Sequence, residues 1–449
     1  MLFGPNSPTD HKMPTSARLA SKHLRHLFIF WLMASPALAA DNPLSLPLQP
    51  NLEDAKALLD DLDNRIEQLE EKLDSTELDP QQQAQLSQAL NQLEAARKPL
   101  IQKQGLPMFT LLGGPGYAPE IGGLLAIGGL YSFSTDRTDP TLQRSSVGGF
   151  FIVNKGDGDP GFAVRSTQSL FFADNALRYQ GEVRAGTQST HYWGVGQEAG
   201  DAQDASDDTL MRHLSIEYRG TLAYRVLPDL YVGPSLNISY FRPDDEELPP
   251  SAIEDENFQV YQDRPLSMGL GLSLQWDTRD VAVNAREGQY LNLEYLLYRQ
   301  SLGSDNDFDS GLLDYRYYHA FAPGRVLASY NALQWAEGDV PYYAMPKLGG
   351  MRSMRGIYHG RYRDQYALEH TLEYRHTFRR ADGSLSNHGM VGWAGIGFVA
   401  ADFSGLYQNA LSSFGVGYRY EIQPRMNVRL DLGISADDKG FYFNFTEAF

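Results

Sequence analysis

The chain has 449 residues, a formal net charge of -18 and no cysteine. A mean hydropathy of -0.39, with no apolar run of the roughly 18 residues that a helical span requires, excludes a polytopic helical membrane protein. The acidic balance argues against a nucleic-acid partner, and the absent cysteine removes disulfides, thiolate metal sites and thiol nucleophiles. The 42 Gly, 26 Tyr and 22 Phe point to many short strands and turns.

At the N-terminus, Arg18, Lys22 and Arg25 precede the apolar run Leu27 to Met33, followed by Pro36-Ala37-Leu38-Ala39. Basic, apolar and small-residue regions in that order predict a secretory signal peptide over residues 1–40. Cleavage is expected after Ala39 or Ala40, and Met13 is a second candidate start.

Residues 41–104 read as a helical hairpin. Leu52, Ala55, Leu59, Leu62, Ile66, Leu69 and Leu73 repeat at alternating spacings of three and four, which is a heptad seam. A second seam runs through Leu86, Ala89, Leu93, Ala96 and Leu100, with Asp79 as its N-cap and Pro80 at the first helical position. The segment carries 13 acidic against 6 basic residues. It is expected to lie in the periplasm, as a spacer or as a docking or homo-oligomerisation arm.

From Gly105 the period changes to two. Leu214, Ile216, Tyr218, Leu222 and Tyr224 alternate with polar residues. Met268 to Trp276, Leu368 to Phe378 and Met426 to Ile434 do the same. Charges gather on one face of these strands of about ten residues, as in a transmembrane barrel with a polar lumen. Tight turns at Asp382-Gly383 and Asp437-Gly440 contrast with long acidic connections at 200–208, 243–255 and 304–309. At about 21 residues per strand and connection, residues 105–449 make an all-β antiparallel barrel of about 16 strands. Phe441, Phe443, Phe445 and Phe449 share one parity, and Phe443, Phe445 and Phe449 are expected to form the terminal signal read by the barrel assembly machinery.

Three segments resemble the BamA/TamA family of outer-membrane barrels. One is Trp276-Asp277-Thr278-Arg279-Asp280 followed by Arg286-Glu287-Gly288, similar to the family's strand-end motif. Another runs from Gly338 through Leu348-Gly349-Gly350 and Met354-Arg355-Gly356 to Asp364, similar to its inward-folded loop with an Arg-Gly motif. The third joins Gly415-Val416-Gly417-Tyr418-Arg419 to the terminal strand. The resemblance implies an outer-membrane protein that inserts or moves proteins, or lipids, in contact with outer-membrane lipid and lipopolysaccharide. Two departures stand out. Ile357 follows Arg355-Gly356 where the family has an aromatic, with Tyr358 one residue late. Gly395 occupies the position of an Asp that normally pairs with the loop arginine. Glu373, which shares the polar parity of Glu369 and Arg375, is the candidate partner of Arg355.

Residues 41–104 show no strand pattern, so they hold no POTRA domain of βααββ type. No zinc spacing, EF-hand or Gly-x-Ser-x-Gly elbow occurs, and neither enzymatic activity nor a cofactor is expected. A passive pore or ligand channel and an architectural barrel remain open beside the insertase reading.

Overall fold

The computed structural model describes residues 47–49, 51–75, 78–139, 141–244, 248–423 and 425–449. The expected signal peptide lies outside them. The chain forms two compact units that divide between Leu106 and Pro107.

The first unit holds α1 (Leu52–Ser75) and α2 (Pro80–Lys103). The Asp79 carboxylate accepts the backbone N–H groups of Gln81 and Gln82, and Pro80 opens α2. That arrangement satisfies two amides that have no partner inside the helix. Ala55, Leu62 and Leu69 are buried on α1, and Leu86, Ala96 and Leu100 on α2, so burial follows the predicted seams. Arg97 grips Asp63 of the other helix with two hydrogen bonds of 2.6 and 2.9 Å. Both side chains are exposed, so this pair contributes little beyond register.

The second unit is a closed barrel of sixteen antiparallel strands. In chain order they are β1 (Met108–Ala118), β2 (Gly122–Phe133), β3 (Ser145–Lys155), β4 (Gly161–Phe172), β5 (Leu177–His191) and β6 (Leu210–Leu227). Then come β7 (Leu230–Pro243), β8 (Leu266–Asp277), β9 (Gly288–Tyr298), β10 (Phe308–Ala322) and β11 (Arg325–Gly338). The last five are β12 (Tyr366–Arg379), β13 (Leu385–Ala400), β14 (Leu411–Gln423), β15 (Met426–Ile434) and β16 (Lys439–Phe445). Each strand pairs with its sequence neighbours, and β1 meets β16. Closure gives every strand two neighbours, although the β1–β16 contact is far shorter than the other ladders.

Alternation sorts the side chains between two faces. Leu111, Ile127, Phe151, Leu272 and Leu432 are exposed on the outer face, whereas Glu294, Asp314, Glu373 and Asp431 are buried on the inner one. The predicted strand around Met268 is β8, and that from Leu368 to Phe378 falls within β12. Connections after the even strands are mostly short, such as Asp382-Gly383. The opposite end carries long ones at 192–209, 244–265 and 339–365. The Ser435–Asp438 turn, though short, belongs to this second end.

One expectation fails at the C-terminus. Phe441 is exposed outward, but Phe449 is buried inside the barrel against Tyr318, Tyr330 and Ala285. Strand alternation stops at Thr446, whose φ of +66° turns the chain. The Thr446 N–H donates to the Asn427 carbonyl, and the tail folds into the lumen.

Replacing Asp79 with alanine should destabilise the first turn of α2 by about 1 kcal/mol, read as faster amide exchange at Gln81 and Gln82 in the full-length protein. Unchanged protection there would refute the capping role.

Candidate functional site: the lumen loop and the barrel seam

The 339–365 connection folds inward and builds a small core of its own. Leu348, Met354, Ile357 and Tyr362 pack with Ala367, Val399 and Leu411 of the barrel wall. Gly349, Gly350, Gly356 and Gly360 supply positive-φ bends, of which Gly356 is the most constrained. Its φ is +109°, and a side chain there would lie 2.5 Å from the Ile434 amide. Across from it, a Cβ on Gly433 would come 2.2 Å from the Arg355 carbonyl. Two glycines therefore let loop and wall touch backbone to backbone.

That contact delivers Arg355 into the lumen, fully buried. Its guanidinium donates to Glu373 of β12 and, at 2.7 Å, to Asp431 of β15. It also stacks over the Trp393 ring, 3.7 Å from the centroid, a favourable cation–π geometry. The carboxylates bind further. Glu373 takes Arg375 at 2.8 Å and Asp431 takes Arg419 at 2.5 Å. Arg419 in turn holds Glu447 of the inward tail at 2.8 Å, and Arg375 donates to the Phe449 carbonyl. Three guanidiniums and three carboxylates thus alternate in one buried chain. Arg429 of β15 lies beside it, 3.7 Å from Asp431.

Glu373 stands where strand parity put it. Asp431 was not foreseen, although its alternation with Asn427 and Arg429 marked it as lumenal. Gly395 sits on β13 where the family pattern has Asp, and a Cβ there would meet the Met354 sulfur at 2.7 Å. The loop's own methionine uses that space, so the acids come from β12 and β15 instead.

Tyr358 reaches across the junction between β1 and β16. Its N–H donates to Asp438, in the β15–β16 turn, and its hydroxyl donates to the Glu120 carbonyl, in the β1–β2 turn. The His359 N–H adds a bond to the Glu120 carboxylate, which burial pushes above the usual carboxylate range. Gly356 donates to the Tyr442 hydroxyl of β16. Burial and then the nearby Arg363 pull Lys347 down to about 7. The loop's permanent charge therefore rests on its arginines. Of these, Arg361 is fixed by Asp438 at 2.6 Å and by the Gly200 carbonyl.

Below this strap the seam is almost unpaired. β1 and β2 are in register from Met108 with Ser132 to Ala118 with Gly122, but β1 and β16 share only Tyr117 with Phe443. Pro115 lacks an N–H to donate, and the turn at Thr446 takes the tail away from β1. The Phe445 ring fills part of the opening, where a Cβ on Gly114 would lie 3.3 Å from it. Phe443 and Phe445 thus belong to the seam, while Phe449 does not share their face.

The strand-end motif does a separate job at the other end. Arg279 grips Asp277 with bonds of 2.9 and 2.8 Å and lies 4.3 Å from the Tyr290 ring centroid. Asp280 accepts the Arg286 amide and pairs with Arg425 at 2.7 Å. Gly288, at φ +102°, starts β9 with no room for a side chain against the Thr278 carbonyl. These residues are far along the barrel from the seam strap and shape the β8–β9 turn.

Arg355→Ala and Glu373→Ala should each cost roughly 3–5 kcal/mol, because each leaves a buried charge short of a partner. The double variant should be clearly less than additive in a thermal-denaturation cycle. Additive losses would show that the two side chains act separately.

The Omp85 superfamily domain model matches residues 209–449. The fold is similar to that of BamA from Haemophilus ducreyi lacking POTRA domains 1–3, at 15% identity and a TM-score of 0.52, over 75% of this chain and 69% of that one. It is also similar to CdiB from Acinetobacter baumannii, at 12% identity and a TM-score of 0.50, over 76% of this chain and 60% of that one. No curated protein sequence matches the chain. A family model spanning more than half the residues, on a sixteen-stranded barrel of the same fold, places this chain in the Omp85 superfamily of outer-membrane barrels.

Proposed function

We propose that this barrel assists the insertion or translocation of macromolecular segments at the outer membrane, using the β1–β16 junction as its working edge. The observation that supports this is the single registered pair between Tyr117 and Phe443 in an otherwise fully laddered barrel. An edge with unsatisfied backbone groups can accept an incoming strand by β-augmentation. The loop holds one end of that edge through Tyr358, Asp438 and Glu120, so opening would start at the end near Phe445.

In this reading the long connections face outward, and the short turns face the periplasm together with α1 and α2. Phe443, Phe445 and Phe449 are the segment offered to the assembly machinery during the protein's own insertion, before the tail folds into the lumen. No enzymatic step or cofactor is part of the function. The lumen wall of β4 and β5 supports a second reading, a ligand channel, because Arg165 and Arg184 face inward with about half of each side chain exposed, 45% and 54%.

The chain's lack of cysteine makes the seam directly testable. Tyr117→Cys with Phe443→Cys should form a disulfide, since the two residues are directly paired. In liposomes, the reduced protein should speed the folding of a second outer-membrane barrel, and oxidation should abolish that gain reversibly. Equal rates with the seam locked and unlocked would overturn the seam mechanism. Steady conductance unaffected by locking would favour the channel.

A further inference from the structure

The inner face of the first three strands departs from the rest of the lumen. Parity puts Phe109, Leu111, Leu125, Ile127, Phe151 and Val153 outside, where they are exposed. Their neighbours Leu112, Leu124, Ala126, Leu130, Phe150 and Ile152 therefore face inward, and these too are apolar. Each is partly exposed to the lumen. Polar lumens are the rule for such barrels, so an apolar wall on both sides of the sheet calls for a ligand.

The sheet register shows what stands next to this wall. At one level Leu112 is opposite Gly128, Gly128 opposite Phe150, Phe150 opposite Arg165, and Arg165 opposite Arg184. Arg165 and Arg184 share one carboxylate, Glu182, at 2.7 and 2.6 Å. Among these three side chains one positive charge is in excess; Arg178, farther along β5, is buried and donates to Gln275 instead. On β6 the next inward residues, Glu217 and Arg219, are neutral as a pair. From β1 to β4 the row spans about 14 Å at the usual strand spacing. An apolar surface thus passes directly into an arginine-rich cluster with one positive charge in excess, and its first strand borders the weakly paired seam.

We propose that this inner wall, with Arg165 and Arg184, binds one anionic phospholipid. Its acyl chains lie over β1–β3, and its phosphodiester replaces water on the two guanidiniums. The single negative charge of the headgroup matches the single excess positive charge of the arginine pair. Occupancy does not require the seam to open, so the site stands apart from the insertase reading. Supply of the lipid from the bilayer through the seam would rest on that reading.

The alternation of faces provides the test. The full-length protein would be placed in phosphatidylcholine nanodiscs containing phosphatidylglycerol with a photoreactive acyl chain, and the adducts mapped by peptide mass spectrometry. Lipid surrounding the barrel should label Leu125, Ile127 and Phe151. Bound lipid should also label Leu112, Leu130, Phe150 and Ile152. Arg165→Gln with Arg184→Gln should lower the inner adducts about fivefold or more, as expected for losing charge-assisted hydrogen bonds, and leave the outer ones unchanged. Unlabelled phosphatidylglycerol should compete for the inner set in the unmodified protein, which keeps the test independent of whether the double variant folds. Adducts confined to the outer residues would overturn the proposal. So would equal inner labelling by photoreactive phosphatidylcholine, competition by inorganic phosphate, or displacement by an amphipathic peptide but not by phosphatidylglycerol.

Discussion

The interior of this barrel depends on one buried guanidinium that two carboxylates share. Arg355 is wholly removed from solvent, and it is supported by Glu373, Asp431 and the Trp393 ring. Burying such a charge is costly unless its partners are in place, and removing one partner is costlier than removing the whole group. The loop is therefore seated as a unit or released as a unit. Partial withdrawal would leave Glu373 to Arg375 and Asp431 to Arg419, but would carry Arg355 away from both acids. That all-or-none character follows from charge, whereas the small apolar core around Leu348 and Met354 would tolerate gradual loosening.

The same charge chain shapes the seam. Glu447 lies two residues before Phe449, and its bonds to Arg419 and Asn427 hold the tail inside. To reach them the chain must leave the sheet at Thr446, which removes the residues that would have continued the ladder along β1. An ordinary terminal strand would satisfy more backbone groups at the seam, but it would leave Arg419 with only Asp431. The structure gains a saturated interior and accepts a short ladder. Loop and seam are thus coupled twice, through the tail at one end and through Tyr358 bridging Asp438 and Glu120 at the other.

How much of this was legible in the sequence differs by feature. Strand periodicity, the charge parity of β12 and the heptad seams are local, and local pattern is what a sequence displays. Glu373 could be assigned to Arg355 because parity alone restricts an inward carboxylate to a few positions. Asp431 could not be paired with the loop, because that pairing depends on how β12, β13, β14 and β15 align around the wall, and register is a property of the whole sheet. Phe449 was misplaced for a related reason. Alternation extrapolates smoothly through Thr446, and a non-glycine residue at positive φ has no reliable signature in the chain. The apolar inner wall was hidden by its own composition, since strands apolar on both faces show little alternation to read.

These two halves of the lumen solve opposite problems. On the β12–β15 side the loop and tail fill the space, and ionic pairs with almost no solvent exposure fix their position. On the β1–β5 side nothing of comparable kind enters among the described residues, and arginine side chains remain half in water beside apolar ones. A barrel that needed only stability would distribute its filling evenly, because closure already supplies the hydrogen bonds of the wall. Placing the rigid contents against one wall leaves the glycine-rich first strands without ionic contacts to the loop or tail on their inner face, where the Phe445 ring beside Gly114 is a neighbour. Those strands can then bend away from β16 without disturbing the charge chain, whose members all lie on the other side of the seam. The asymmetry thus lets one edge yield while the opposite wall holds.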